Sequence, residues 1–149
     1  MMSKAYHFCV AFLTLSIMLL CSCDSEKENM LSIVEYEISD EIEVNLDSSD
    51  YVLIDSEKSL KNIFKENASK IGNINFKSYN LLYVEGKTPN GIEEIQSKCV
   101  EASDKILVYV NIECLLTTQY CNWNQAYLIP KSKTGDIVVE VTTNIREER

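Results

Sequence analysis

From Ile106 to Ile112 the chain is apolar at every second position: Ile106, Val108, Val110 and Ile112 alternate with Leu107, Tyr109 and Asn111. A period of two belongs to a strand, whose side chains point alternately to opposite faces; no helix gathers those residues on one side. The pattern recurs. Val34, Tyr36 and Ile38 alternate with acidic or polar residues, as do Ile42, Val44 and Leu46. Tyr51–Asp55, Leu81–Glu85, Ile92–Glu101, Ala126–Ile129 and Ile137–Thr143 read as further strands. Turn signals separate them. Asp47-Ser48-Ser49-Asp50 is a polar cluster, Gly86 ends the Leu81 strand, and Thr88-Pro89-Asn90-Gly91 has the residues of a type I turn. Ala102–Lys105 closes a hairpin, Pro130 stops a strand, and residues 131–136 form a loop around Gly135. One segment departs from this period. Ser56 is a candidate N-cap, Glu57 sits near the positive helix end, and Leu60, Ile63 and Phe64 share a face at helical spacing. The expected fold is therefore α+β: a mostly antiparallel sheet of seven or so strands, sandwich- or barrel-like, with one amphipathic helix near residues 57–67.

Residues 1–22 have another character. Lys4 is followed by an uncharged run from Phe8 to Leu20, too short for a spanning helix and suited to the core of a signal peptide. The run ends in Leu20-Cys21-Ser22-Cys23, which resembles the lipobox of bacterial lipoproteins: a large aliphatic, a small residue before the cut, and a cysteine after it. That resemblance implies cleavage after Ser22 and a lipid on Cys23, anchoring the protein to the membrane through acyl chains. Residues 1–22 are then the signal peptide, residues 23–30 the lipidated cysteine with a flexible acidic tether, and residues 31–149 a single domain. The tether Asp24-Ser25-Glu26-Lys27-Glu28-Asn29 looks like the acid-rich export signal of Bacteroidota-type surface lipoproteins. This implies an outer-membrane location, with the domain exposed at the cell surface where that signal operates.

Cleavage removes Lys4 and no acid, so the mature chain carries 13 basic and 23 acidic residues, a net charge of −10. Its two arginines, Arg146 and Arg149, both lie in the tail. Nucleic acid is excluded as a partner, because binding it requires a basic footprint.

Within residues 51–143 the order of segments resembles a domain of uncharacterised Bacteroidota-type lipoproteins. It is also distantly similar to the PrcB C-terminal domain of protease-complex proteins. Asn75-Phe76 precedes the apolar strand Leu81–Glu85, Gly86-Lys87-Thr88-Pro89-Asn90-Gly91 supplies the turn, and a later strand ends in Ile129-Pro130-Lys131. Asn75 stands where that pattern has Asp, and Asn90-Gly91 where it has Gly-Gly. The resemblance implies a protein-partner role and transfers no catalytic residue.

The chemistry available is narrow. His7 is the only histidine and leaves with the signal peptide, so the mature chain has no imidazole base, nucleophile partner or metal ligand. Four glycines, at 72, 86, 91 and 135, compose no phosphate-binding loop. No catalytic residue, cofactor or metal is assigned. Carboxylates remain. Glu93 and Glu94 are adjacent, and on a regular strand they point to opposite faces unless a bulge intervenes; Asp40, Glu41 and Glu43 read as a solvated acidic surface. Of the domain cysteines, Cys114 and Cys121 are close enough in sequence to form a disulfide, with Cys99 free and buried. Residues 115–124 read as the longest irregular stretch of the β half. Tyr120, Asn122, Trp123 and Asn124 make it a candidate binding loop, with Trp123 alternatively serving the core. The function expected is a lipid-anchored, non-enzymatic envelope protein that binds another protein or an extracellular ligand. The alternative is a carboxylate-dependent hydrolase acting on a glycan or other envelope substrate.

Overall fold

A computed structural model describes residues 29–30, 34–39, 42, 44, 46, 50–102, 104–133 and 135–146. The signal peptide, Cys23, and Asp40, Glu41 and Glu43 lie outside the described residues. The elements are β1 (Asn29–Met30), β2 (Val34–Glu35), β3 (Tyr51–Ile54), α1 (Glu57–Phe64) continuing as a 3₁₀ turn (Lys65–Lys70), β4 (Tyr79–Thr88), β5 (Ile92–Glu101), β6 (Lys105–Cys114), β7 (Cys121–Pro130) and β8 (Asp136–Ile145). They form two four-stranded sheets, ordered β1-β5-β6-β8 and β2-β7-β4-β3. The α+β reading holds, and of its two forms the sheets are a sandwich and not a closed barrel.

Parity along the strands builds three layers. On β6, Ile106, Val108, Val110, Ile112 and Cys114 face inward and meet Leu82 and Val84 of β4 and Trp123, Tyr127 and Ile129 of β7. The opposite face of the second sheet is buried as well. There Leu81 and Tyr83 of β4 and Ala126 of β7 pack on Leu60 and Phe64 of α1, with Ile71, Ile74 and Ile42. Strand β4 is thus covered on both sides, which is why Leu81-Leu82-Tyr83-Val84 is an unbroken apolar run. The Tyr127 hydroxyl joins the two sheets, 2.5 Å from Ser97 Oγ.

The helix starts where expected. Ser56 Oγ accepts from Ser59 N at 3.3 Å, and Asp55 accepts from both the Ser56 and Ser59 hydroxyls, which hold its carboxyl below the usual carboxylate range.

Several boundaries differ from the sequence reading. Strand β4 runs through Gly86 to Thr88, and residues 88–91 form a corner between the sheets. Of the Val34–Ile38 segment only Val34 and Glu35 form a ladder, with Leu128 and Tyr127, and Tyr36 N adds one bond to the Ala126 carbonyl at 2.8 Å. Ile42, Val44 and Leu46 do face the core but belong to no strand. Their backbone is held by a side chain instead: Glu85 Oε2 accepts from Val44 N at 3.1 Å and Oε1 from Leu46 N at 2.7 Å. The last strand pairs parallel to β6, from Lys105 opposite Asp136 to Cys114 opposite Ile145. A parallel neighbour needs a crossover, and β7, lying in the other sheet, provides it.

Candidate functional site

The expected binding loop is shorter than the sequence reading placed it. Strand β7 begins at Cys121, so only residues 115–120 connect the sheets. Trp123 is 8% exposed and sits in the layer between the sheets; Asn124 is buried on the other face, its Nδ2 donating to the Ile42 carbonyl at 3.1 Å. Trp123 is turned into the core, and Asn124 keeps only a small exposed area. Asn122 is exposed on β7, and Tyr120 stands at 80% exposure.

The loop carries other apolar groups that the sequence reading passed over. Leu115 is exposed, and Leu116 is 73% exposed. Ile145, half-exposed at the end of β8, lies opposite Cys114 and so adjoins the loop. The backbone beneath them is pinned to the corner after β4. Leu115 N donates to the Gly91 carbonyl, Gly91 N to Thr117 Oγ1, and Thr117 N to the Leu115 carbonyl, each at 2.8 Å. A fixed loop presenting several large apolar side chains loses less entropy on binding than a floppy one. Exposed apolar residues carry meaning when they are gathered in one place, and Leu115, Leu116 and Tyr120 lie within six residues of one loop. The signal was present in the sequence as Leu115-Leu116 directly after a strand.

The carboxylates fall into separate settings. The register of β5 on β6 shifts between Ile92 and Glu94, a bulge that releases Glu93 and Glu94 from strict alternation. Both remain exposed, and Glu93 pairs with Arg146 at 3.0 Å. Glu85 is occupied in holding residues 44 and 46. An open cleft of about 910 Å³ lies where the chain after β2 leaves β7, lined by Glu35, Tyr36, Glu37, Ile38, Ser39 and Asn124 to Ala126. Glu35 and Glu37 are both exposed there. No group of three or more metal-ligating side chains occurs among the described residues.

All three domain cysteines are free thiols; the bond expected between Cys114 and Cys121 is not formed in this structure. Cys114 is fully buried at the end of β6, while Cys121 opens β7 in the facing sheet and is only half-buried. Cys99 is buried in the same layer as Cys114. Burial, with the Glu101 charge adding to it, pushes its thiol up to about 11. Because the thiolate is the reactive species, iodoacetamide at pH 8 should modify Cys121 first and leave Cys99 and Cys114 unmodified until denaturant is added. Peptide mass mapping of a time course checks this, and early labelling of Cys99 would contradict the burial described.

No protein-family model matches the chain, and neither the curated proteins nor the solved structures include a significant match.

Proposed function

We propose that this chain is a lipid-anchored envelope protein of the outer membrane whose α+β domain binds another protein or an extracellular ligand without catalysing a reaction. Its affinities, on this reading, are with Bacteroidota-type lipoproteins and, distantly, the PrcB C-terminal domain. The observation that carries the binding role is the pinned loop exposing Leu115, Leu116 and Tyr120 beside Ile145. The anchor rests on Leu20-Cys21-Ser22-Cys23 after the apolar run. Among the described residues no helix is long and apolar enough to cross a membrane.

The two parts are tested separately. Cys23→Ser should abolish incorporation of labelled palmitate and move the protein out of the membrane fraction; continued labelling would refute the anchor. For the binding role, detergent-solubilised envelopes are passed over the immobilised wild type and over Leu116→Glu/Tyr120→Ser. The wild type should retain a protein or glycan that the variant loses at least tenfold, since removing two exposed apolar anchors eliminates more than 1.4 kcal/mol. Equal retention by both would remove the loop from the proposal.

A second reading, a carboxylate-dependent hydrolase, draws on the cleft holding Glu35 and Glu37. It requires turnover of an envelope glycan that disappears in Glu35→Gln or Glu37→Gln.

A further inference from the structure

Among the described residues, strand β8 is the last strand of its sheet, paired with β6 on one side only. Asp136 N donates to the Asp104 carbonyl and Arg146 N to the Cys114 carbonyl, both at 3.1 Å. The even-numbered residues therefore turn their backbone groups toward β6, and the odd-numbered ones turn theirs outward. Ile137 fits this assignment, because its carbonyl accepts from the Tyr51 hydroxyl at 3.1 Å on the outer side. Beyond it, Val139, Val141, Thr143 and Ile145 present N–H and C=O groups along an open edge. Val141 is 39% exposed and Ile145 50%. An edge this long usually carries a lysine, a proline or a bulge that blocks pairing. Residues 136–145 contain neither lysine nor proline, and their register on β6 is unbroken.

We infer that this edge pairs with the same edge of a second copy of the chain, antiparallel about a two-fold axis through Val141. The commitment to a second copy comes from the strand's own charges. Outward groups must oppose outward groups, so odd-numbered residues face odd-numbered residues. Centring on Glu140 would set two carboxylates against each other, which is destabilising. Centring on Val141 is the register that uses the whole strand, and it is self-complementary. Asp136 faces the second copy's Arg146 at both ends, Ile137 faces Ile145, Val139 faces Thr143, and Val141 faces itself. At the terminal rung the Ile137 carbonyl keeps Tyr51 on one lone pair and takes the incoming Ile145 N–H on the other. Each contact away from the axis occurs twice, as a two-fold interface requires. The result is one continuous eight-stranded sheet, with the half-exposed Val141 and Ile145 covered. The pairing shares Ile145 with the apolar surface beside the 115–120 loop but uses none of Leu115, Leu116 and Tyr120.

The test is cross-linking of the full-length chain in envelopes, in a Cys121→Ser background. Directly opposed hydrogen-bonded residues stand about 5.5 Å apart between Cα atoms, within disulfide reach. Val141→Cys should therefore give an oxidant-dependent dimer on non-reducing gels. Asn144→Cys should not, because its two copies would lie about 20 Å apart along the strands. Adding Arg146→Asp to Val141→Cys should lower the dimer yield about tenfold, through two lost attractions and two new repulsions. Adding Asp136→Arg as well should restore it. The Glu93–Arg146 pair within one chain is absent from both of these variants, so recovery reads the contact between copies alone. Dimer from Asn144→Cys equal to that from Val141→Cys, or no recovery in the charge swap, overturns the inference.

Discussion

Replacing Tyr83 with alanine should destabilise the domain by about 3–5 kcal/mol, the range for deleting a buried aromatic ring, read as a lower urea midpoint at unchanged slope. Tyr83 is fully buried on the helix side of β4, where the Phe64 ring meets it edge-on at 5.1 Å between centroids. Its hydroxyl lies 3.0 Å from the Ile42 carbonyl and 3.0 Å from Glu85 Oε2, so one proton is shared between two acceptors. Tyr83→Phe separates ring from hydroxyl. In that variant the Ile42 carbonyl still accepts from Asn124 Nδ2, and Glu85 still accepts from Val44 N and Leu46 N. No acceptor is stranded, and the cost should fall to about 0.5–1.5 kcal/mol, the net value of one hydrogen bond. If the two substitutions cost the same, the hydroxyl rather than the ring holds Ile42, Val44 and Leu46 against the sheet.

That segment also shows what a period of two can and cannot disclose. Ile42, Val44 and Leu46 alternate as strand residues do, and they do face the core. Alternation reports which side of an extended backbone is buried; it carries no information about what its N–H groups bond to, and here Glu85 takes the place of a neighbouring strand. The same gap hid the direction of β8, because a parallel and an antiparallel edge strand bury the same alternate residues. Only the passage of β7 through the other sheet decides between them. For β7 itself the polar run Asn122-Trp123-Asn124 concealed a strand. Cys121, Trp123, Tyr127 and Ile129 were already in phase, broken only at Gln125. Asn124 looked unsuited to a core, and it is satisfied there by a carbonyl 82 positions away in sequence, a pairing no local pattern can reveal. The helix was legible for the opposite reason: its cap and its apolar face lie within nine residues of each other.

Gly86→Ala should destabilise the domain by about 1–3 kcal/mol, the cost of overpacking a filled core, even though removing a glycine from a strand ordinarily helps. Gly86 reads in the sequence as a strand terminator, yet β4 continues past it, and its partner in the register is Trp123. The indole lies on the glycine. A Cβ at position 86 would stand 2.6 Å from Trp123 Cζ2, 2.7 Å from Cε2 and 2.9 Å from Nε1. The reduced entropy of the unfolded chain would contribute only about 0.4–1 kcal/mol in favour of alanine, so the steric cost decides the sign. Trp123 has little freedom to withdraw, since it is buried in the layer between the two sheets. Its Nε1 has no hydrogen-bond partner there, so no polar contact fixes the indole in place. Trp123 is the only tryptophan in the chain, so its fluorescence reports directly on the ring that must move. A double-mutant cycle isolates the contact. In a Trp123→Leu background the side chain ends short of the Cζ2, Cε2 and Nε1 positions, and Gly86→Ala should then cost less than half of what it costs alone. Additive losses in urea titrations of the four variants would show that Gly86 serves the backbone and not the indole.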